Sequence, residues 1–185
     1  MYDIITQIPF GIKREAWKIQ SFKVNTPITT SITGQTLTDS YTLCYQDPIE
    51  CIKFLLGHRP FEKNLVYQPI WQYQDNKHVY TEMHTAEWWW KKQHKVSKLH
   101  PGTTIVPIIF GSDKTLVTEH SGTKSAWPIY ISIGNLDRQT RRSQTRPGML
   151  VLGLLPIMKS SARDEDSRMD AKVYHQALAV IFQSK

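Results

Sequence analysis

Apolar residues recur at helical spacing in the segment that follows Asp47. The apolar positions are Ile49, Ile52, Leu55 and Leu56, which fall on one face of an α-helix. Asp47 can cap the unpaired N–H groups, and Glu50 completes a pattern like that of a capping box. Pro48 suits the first helical turn, and Gly57 can end the helix. The pattern predicts a helix that begins after Asp47 and ends at Gly57.

The same periodicity predicts two more helices. Thr85 is a candidate N-cap for a helix over Ala86–Lys95, which has acidic Glu87 near its positive end and lysines near its negative end. The second pattern runs from Asp170 to Phe182, and its shared face carries Val173, Ala177, Leu178 and Ile181. The acidic stretch Asp164–Asp166 before it is predicted to be a solvated loop.

Alternating and β-branched segments predict strands. A short strand is expected at Ile19, Phe22 and Val24, followed by a loop or hairpin over Thr26–Thr38. Val66–Tyr73 and His78–His84 should form a hairpin around Asp75-Asn76. Three later strands are predicted at Thr104–Phe110, Trp127–Ile133 and Met149–Leu155. The pattern of the first is that of a buried strand. Because no helix fits between these three, they should form an antiparallel meander, the second strand following a turn at Ser121-Gly122.

Composition narrows the class of protein. The chain has 185 residues, with 23 Lys and Arg against 16 Asp and Glu, for a formal net charge of +7. This charge favours a polyanionic partner. The longest apolar run, Thr104–Phe110, is far shorter than the roughly 18–20 residues that span a bilayer, and no secretory pattern opens the sequence. An intracellular protein without a membrane partner is expected.

Cysteine and histidine do not suggest a metal site. The chain has 2 cysteines, Cys44 and Cys51, too few for a disulfide framework or a four-ligand zinc site, so reduced, semi-buried thiols are expected. The 7 histidines show no tight ligand spacing and are interpreted as hairpin and surface residues.

Two basic clusters are candidates for DNA binding. One is formed by Lys91, Lys92 and Lys95, which follow the tryptophans 88–90, and the other by Arg138, Arg141, Arg142 and Arg146. Phosphate contact is one interpretation of each cluster; a solvated helix face and a solvated hairpin are the alternatives. On a helix, at most two of the three tryptophans can enter one core, and the third could stack on a base or cover the lysine stems.

Asp113 is the candidate catalytic and metal-binding residue. It follows the first strand of the meander, and in RNase H-like nucleases a first-strand carboxylate helps to hold two Mg²⁺ ions. An aspartate after a strand is also a common turn residue. The string GSDKT around it lacks the first glycine of a phosphate-binding loop, so no nucleotide is expected.

Several ordered segments resemble Plavaka-type transposases, which are encoded by cut-and-paste DNA transposons common in fungi. The segments, all between residues 45 and 156, are YQDPIECI, LLGHRPF, TAEWWWKKQ, PIIFGSDKT, AWPIYISIGNL, the Arg141-Arg142 pair and VLGLLP. The resemblance covers roughly residues 40–182. SDKT followed by AWPIYISIGN is the most specific pair.

The resemblance implies an RNase H-like DDE transposase that cuts and joins DNA with Mg²⁺ or Mn²⁺. Asp113 of SDKT matches the first catalytic acid and would bind the metal. The second and third acids of the family should lie beyond the helix that begins near Asp170, so the chain by itself is expected to be inactive. The resemblance also implies a nuclear location.

The predicted fold is therefore mixed α/β (α+β). An N-terminal α+β region over residues 1–100 should precede, over residues 101–185, the first part of an RNase H-like core, with three antiparallel strands followed by a helix. Such a half-sheet leaves an unpaired edge, through which self-association is expected. The alternative function is a non-catalytic nucleic-acid-binding protein that uses the basic and aromatic surface.

Overall fold

The structure is a computed structural model that describes residues 16–29, 36–118, 124–143, 145, 148–157 and 163–183. The strands found there are β1 (Lys18–Thr29), β2 (Thr36–Tyr45), β3 (Tyr73–Gln74), β4 (Lys77–His78), β5 (Ile108–Ser112), β6 (Thr115–Thr118), β7 (Lys124–Ile133) and β8 (Met149–Leu155). The α-helices are α1 (Pro48–Gly57), α2 (Glu87–Leu99), α3 (Arg138–Arg141) and α4 (Arg163–Gln183). Short 3-10 turns cover Arg59–Asn64 and Met83–Thr85. The predicted mixed α+β class is confirmed.

One antiparallel sheet forms the centre of the described chain. Its strand order is β1-β2-β8-β7-β5, and β6 also pairs with β7. Strands β5, β7 and β8 form the predicted antiparallel meander, and β2 adds to its far side by placing Cys44 opposite Leu154. The sheet therefore joins strands from both sides of residue 100. The division into two domains and the RNase H-like assignment stay predictions.

The core is densest around β8. Leu152 is 0%, Leu154 6% and Leu155 3% exposed. Since neighbouring residues of a strand point to opposite faces, both faces of this strand are covered. The apolar face of α4 joins the same core through Val173, Ala177 and Ile181, as its spacing predicts. None of the helices in the described ranges is long and apolar enough to cross a membrane.

The two cysteines lie in this core as buried free thiols. Cys51 is fully buried at 0% exposure. Burial raises the pKa of the Cys51 thiol to about 12, because the thiolate would lose its hydration there. Both cysteines are free thiols, as expected, and both are buried where a semi-buried position was expected.

Of the first two predicted helices, one begins where it was expected and the other begins one residue later. The α1 prediction is confirmed: the Asp47 side chain accepts a hydrogen bond from the Ile49 N–H at 2.9 Å. The prediction of Thr85 as N-cap of the next helix is wrong, because Ala86 occupies that position. The Thr85 hydroxyl instead donates to the Glu82 carbonyl at 2.8 Å, which closes the preceding 3-10 turn.

The last helix is longer than its pattern suggested. It begins at Arg163, so the prediction of Asp164–Asp166 as a loop is wrong. Acidic residues suit the first turn of a helix, because its unpaired N–H groups carry partial positive charge. The backbone therefore continues helically where the apolar periodicity has not yet begun.

The predicted strands occur in the expected order, and several of them differ from the prediction in their bounds or their exposure. β5 begins at Ile108, not Thr104, since Pro107 has no N–H to donate to the ladder. Its side chains are half exposed, with Phe110 at 44%, so the prediction of a fully buried strand is wrong. The hairpin at Asp75 and Asn76 is confirmed but short, and both residues have positive φ, 50° and 60°. The Ser121-Gly122 turn lies outside the described residues.

Candidate nucleic-acid interface and the Asp113 turn

The segment that follows β7 and carries the arginines is held in place by hydrogen bonds of Asn135 and Asp137. Asn135 is buried, and its side-chain amide donates to the Val66 carbonyl at 2.8 Å. Asp137 then caps α3 by accepting from the Thr140 N–H at 2.6 Å and from the Asn64 amide at 2.8 Å. Burial acts to raise the pKa of the Asp137 carboxyl, but these hydrogen bonds outweigh it and lower the pKa. The arginine segment is thus positioned by the protein itself.

Glu82 connects this segment to the region before α2. Its Oε1 accepts from the Arg138 backbone N–H at 2.7 Å, and its Oε2 pairs with the Arg141 guanidinium at 3.3 Å. The Arg141 guanidinium also donates to the Leu136 carbonyl. The Arg141 and Glu82 side chains are only 13% and 19% exposed. The Arg141 guanidinium is therefore bonded within the protein, and its side chain is mostly shielded from solvent.

The neighbouring arginines point the other way, into an open groove. Arg138 and Arg142 are both exposed, and one helical turn separates them. The groove has a volume of about 770 Å³ and is lined by Glu82, Arg138, Gln139, Thr140, Arg142 and Ser143. Guanidinium groups and hydroxyl donors are the groups that bind phosphate oxygens in proteins. Arg146, the fourth predicted member, lies outside the described residues.

The predicted lysines lie on α2. Lys91, Lys92 and Lys95 are all exposed, and Lys91 pairs with Glu87 at 3.1 Å, one turn earlier. The expected division of the tryptophans is confirmed: Trp89 is fully buried, whereas Trp88 is 47% exposed. The helix thus presents a basic outer face and is held to the protein by its inner one.

Asp113 lies in the turn between β5 and β6 and is exposed. The next residue, Lys114, fixes this turn to the last helix through a 3.5 Å ion pair with Asp170. The Lys114 ammonium also lies 5.6 Å from the centre of the Trp127 ring, close enough for a cation–π interaction. A carboxylate on a braced turn of this kind can serve as a metal ligand.

The described residues do not complete a metal site around Asp113. Within them, no group of three or more His, Cys, Asp or Glu side chains is close enough to hold an ion. A pair of divalent ions needs several carboxylates to neutralise it. Asp113 fits as one ligand, and the described chain supplies no complete set.

The strand register separates Asp113 from the arginine groove. Ile108 pairs with Ile133 at the end of β7 that leads to α3, whereas Ser112, next to Asp113, pairs with Ile129. The four residue steps from Ile108 to Ser112 span about 13 Å at roughly 3.3 Å per residue. The two features therefore lie at opposite ends of the β5–β7 pair, and one phosphate cannot contact both.

Sequence reasoning missed Glu82 and Lys114, the two residues that position the predicted ones. Glu82 lies in the segment His78–His84, which was predicted as a strand, and its partners are 56 and 59 residues away along the chain. Lys114 is adjacent to Asp113, but its partner Asp170 is 56 residues away. No local pattern indicates contacts between residues so distant in the sequence.

These observations define a basic α+β protein with an arginine-lined groove and a carboxylate on a strand-end turn. A family model described as Plavaka transposase matches residues 1–184. The chain belongs to the Plavaka transposase family, and this membership implies DNA binding and, in general, the use of divalent metal. No curated protein and no solved structure matches the chain.

Proposed function

We propose that this chain contributes DNA binding to a nuclear transposase of the DDE type. The observation that carries the proposal is the groove in which Arg138 and Arg142 are exposed while Glu82 holds the helix beneath them. Two cations on one helical turn, kept in place without a ligand, suit the closely spaced charges of a DNA backbone. Arg141 has a positioning role, since its guanidinium is already bonded within the protein.

The lysines of α2 extend this interface. Lys92 and Lys95 are exposed and pair with no acid among the described residues, so both ammonium groups are available to phosphate. Lys91 forms an ion pair with Glu87, so its contribution to phosphate binding is expected to be smaller than that of Lys92 or Lys95. The net charge of +7 supports the approach of a polyanion from a distance.

Asp113 is proposed as one carboxylate ligand for Mg²⁺ or Mn²⁺. The divalent ions would supply activation of a nucleophile and stabilisation of the leaving oxygen in strand transfer. The role of Asp113 is to hold a negative charge at the end of β5, where Lys114 braces the turn against α4. With no complete ligand set in the described chain, the chain alone is proposed to be inactive in strand cleavage.

The test of DNA binding is a salt titration with a fluorescently labelled duplex. Loss of one phosphate contact changes the slope of log K against log salt by about 0.9. The double variant R138A/R142A should therefore lower the magnitude of the slope by about 1.8. The matched control is R59A/R168A, which removes two exposed arginines outside the groove. An equal slope change in the two double variants would overturn the proposal for the groove.

Catalysis is tested separately with Asp113. We expect no strand transfer by the purified chain with Mg²⁺ or Mn²⁺, and unchanged duplex binding in D113A. Activity that D113A abolishes would overturn the proposed inactivity. Salt-sensitive binding that survives D113A, without metal binding by the wild-type chain, would instead favour a non-catalytic DNA-binding protein.

A further inference from the structure

An exposed stack of aromatic rings lies at α2 and shares no residue with the lining of the arginine groove. We call the rings of Trp71, Tyr73, His78, Tyr80 and Trp90 the aromatic platform. Trp71 stacks nearly parallel on Trp90, with 5.3 Å between ring centres and 14° between planes, and lies 4.6 Å from His78. His78 in turn lies 4.3 Å from Tyr80 and 5.8 Å from Tyr73. The rings therefore form one continuous surface.

The platform faces solvent to an unusual degree. Trp71 is 43%, Tyr73 63% and Tyr80 61% exposed. Aromatic side chains of this size are normally buried, because each removes a large apolar area from water. A contiguous group of them at the surface is a mark of a binding site.

Hydrogen bonds hold the platform rigid. The His78 ring bonds to the Thr85 carbonyl at 2.9 Å, and the Val79 N–H donates to the Gln72 carbonyl at 2.8 Å. The Ile70 N–H donates to the His84 carbonyl at 2.9 Å, which anchors the chain next to Trp71. The rings are thus positioned in advance, and a ligand that stacks on them loses little free energy in ordering the protein.

The charges around the platform favour an anionic ligand. The Tyr80 hydroxyl contacts Glu87 at 3.4 Å, and Glu87 is neutralised by Lys91. Lys92 and Lys95 continue along the same helix. The hairpin itself carries one acidic and one basic residue, Asp75 and Lys77, both exposed. Flat rings beside phosphate-binding cations are the arrangement with which proteins hold single-stranded nucleic acids.

From this geometry we infer that the aromatic platform binds unpaired bases of single-stranded DNA. Trp71 provides the stacking face, Tyr73 and Tyr80 border it, and the α2 lysines contact the backbone on either side. A paired base cannot use the platform, because its faces are covered by its neighbours in the duplex. The inference rests on the proposed function in that it takes DNA as the ligand.

The test compares oligodeoxythymidine with a duplex of equal length, by fluorescence anisotropy at one salt concentration. We expect W71A to weaken oligodeoxythymidine binding about tenfold or more, the effect of losing one stacked base, and W71F to restore most of it. Duplex binding should stay within about twofold in both variants, since the platform contributes only to unpaired bases. The matched control is W88A, which removes a tryptophan of similar exposure, 47%, that lies on α2 outside the platform.

The outcomes separate the two proposals. If the wild-type chain binds the duplex but W71A and W88A affect oligodeoxythymidine equally, the platform inference is wrong and the proposed DNA binding stands. If the wild-type chain binds neither DNA, the proposed function fails and the platform inference with it. Unchanged far-UV circular dichroism of W71A is required. If W71A fails to fold, Y73A replaces it as the test, because it removes a platform ring that is 63% exposed; binding of oligodeoxythymidine by Y73A as tight as by W88A would then overturn the inference.

Discussion

Removal of the Glu82 carboxylate is the sharpest test of how the arginine helix is positioned. E82A leaves the Arg141 guanidinium without its charged partner and the Arg138 N–H without its acceptor. The Arg141 side chain is mostly shielded from water, so new hydrogen bonds to solvent replace its lost partner poorly. The variant should therefore be less stable, and its arginine groove less well ordered.

The size of the effect follows from the burial of the pair. Breaking a fully buried ion pair costs about 3–5 kcal/mol, whereas exposed pairs contribute about 0–1 kcal/mol. The Arg141 and Glu82 side chains are 13% and 19% exposed, nearer the buried limit. With the bond to the Arg138 N–H also lost, E82A should lower the free energy of unfolding by about 3 kcal/mol. This change lowers the Tm by about 6–12 °C in a chain of this length.

Urea unfolding followed by circular dichroism measures the change. The control is E50A, which removes a pair with Lys53 whose side chains are 66% and 55% exposed, and which should cost less than about 0.5 kcal/mol. R141A and the double variant E82A/R141A complete a mutant cycle, with an expected coupling of about 1 kcal/mol or more. Equal stabilities of E82A and E50A would refute the positioning role of Glu82.

Three further predictions concern stability and reactivity. D47A should lower the free energy of unfolding by about 1 kcal/mol, because the α1 cap is lost. Hydrogen bonds outweigh burial and lower the pKa of Asp47 in the folded chain, so its contribution is present above the unfolded-state pKa and is lost as the pH falls through the folded-state pKa. Acid titration of the wild type against D47A should show this loss. G134A should destabilise by about 1–3 kcal/mol in thermal unfolding, since a Cβ there would lie 2.6 Å from the Met83 sulfur and 3.0 Å from Pro107. Cys51, with its pKa raised to about 12 by burial, should react with iodoacetamide at pH 8 only after denaturation; rapid labelling of the native chain at this position would contradict its burial.

The sequence was most informative where local pattern and tertiary burial agree. The helix after Asp47 combines a cap, a proline and an apolar face, and its bounds were predicted closely. β8 was predicted to the residue, because it is an apolar run bounded by Gly148 and Pro156. The fold class follows from such elements, since each one specifies its own type and its inner face.

Prediction failed where distant contacts decide the structure. The apolar run from Thr104 was expected to be buried throughout, yet β5 is a half-exposed strand at one end of the sheet order. Arg141 and Arg142 are identical in type and adjacent, but the ion pair with Glu82 is made by Arg141. A single sequence cannot distinguish the buried arginine from the exposed one, because the difference arises from a residue 59 positions away.

Hydrogen–deuterium exchange on the duplex complex locates the bound DNA on the chain. We expect slower amide exchange across residues 138–143 when duplex is added, with protection lost in R138A/R142A and at high salt. Duplex binding that leaves exchange in this segment unchanged, with protection confined to other parts of the chain, would contradict the proposed DNA binding by the arginine groove.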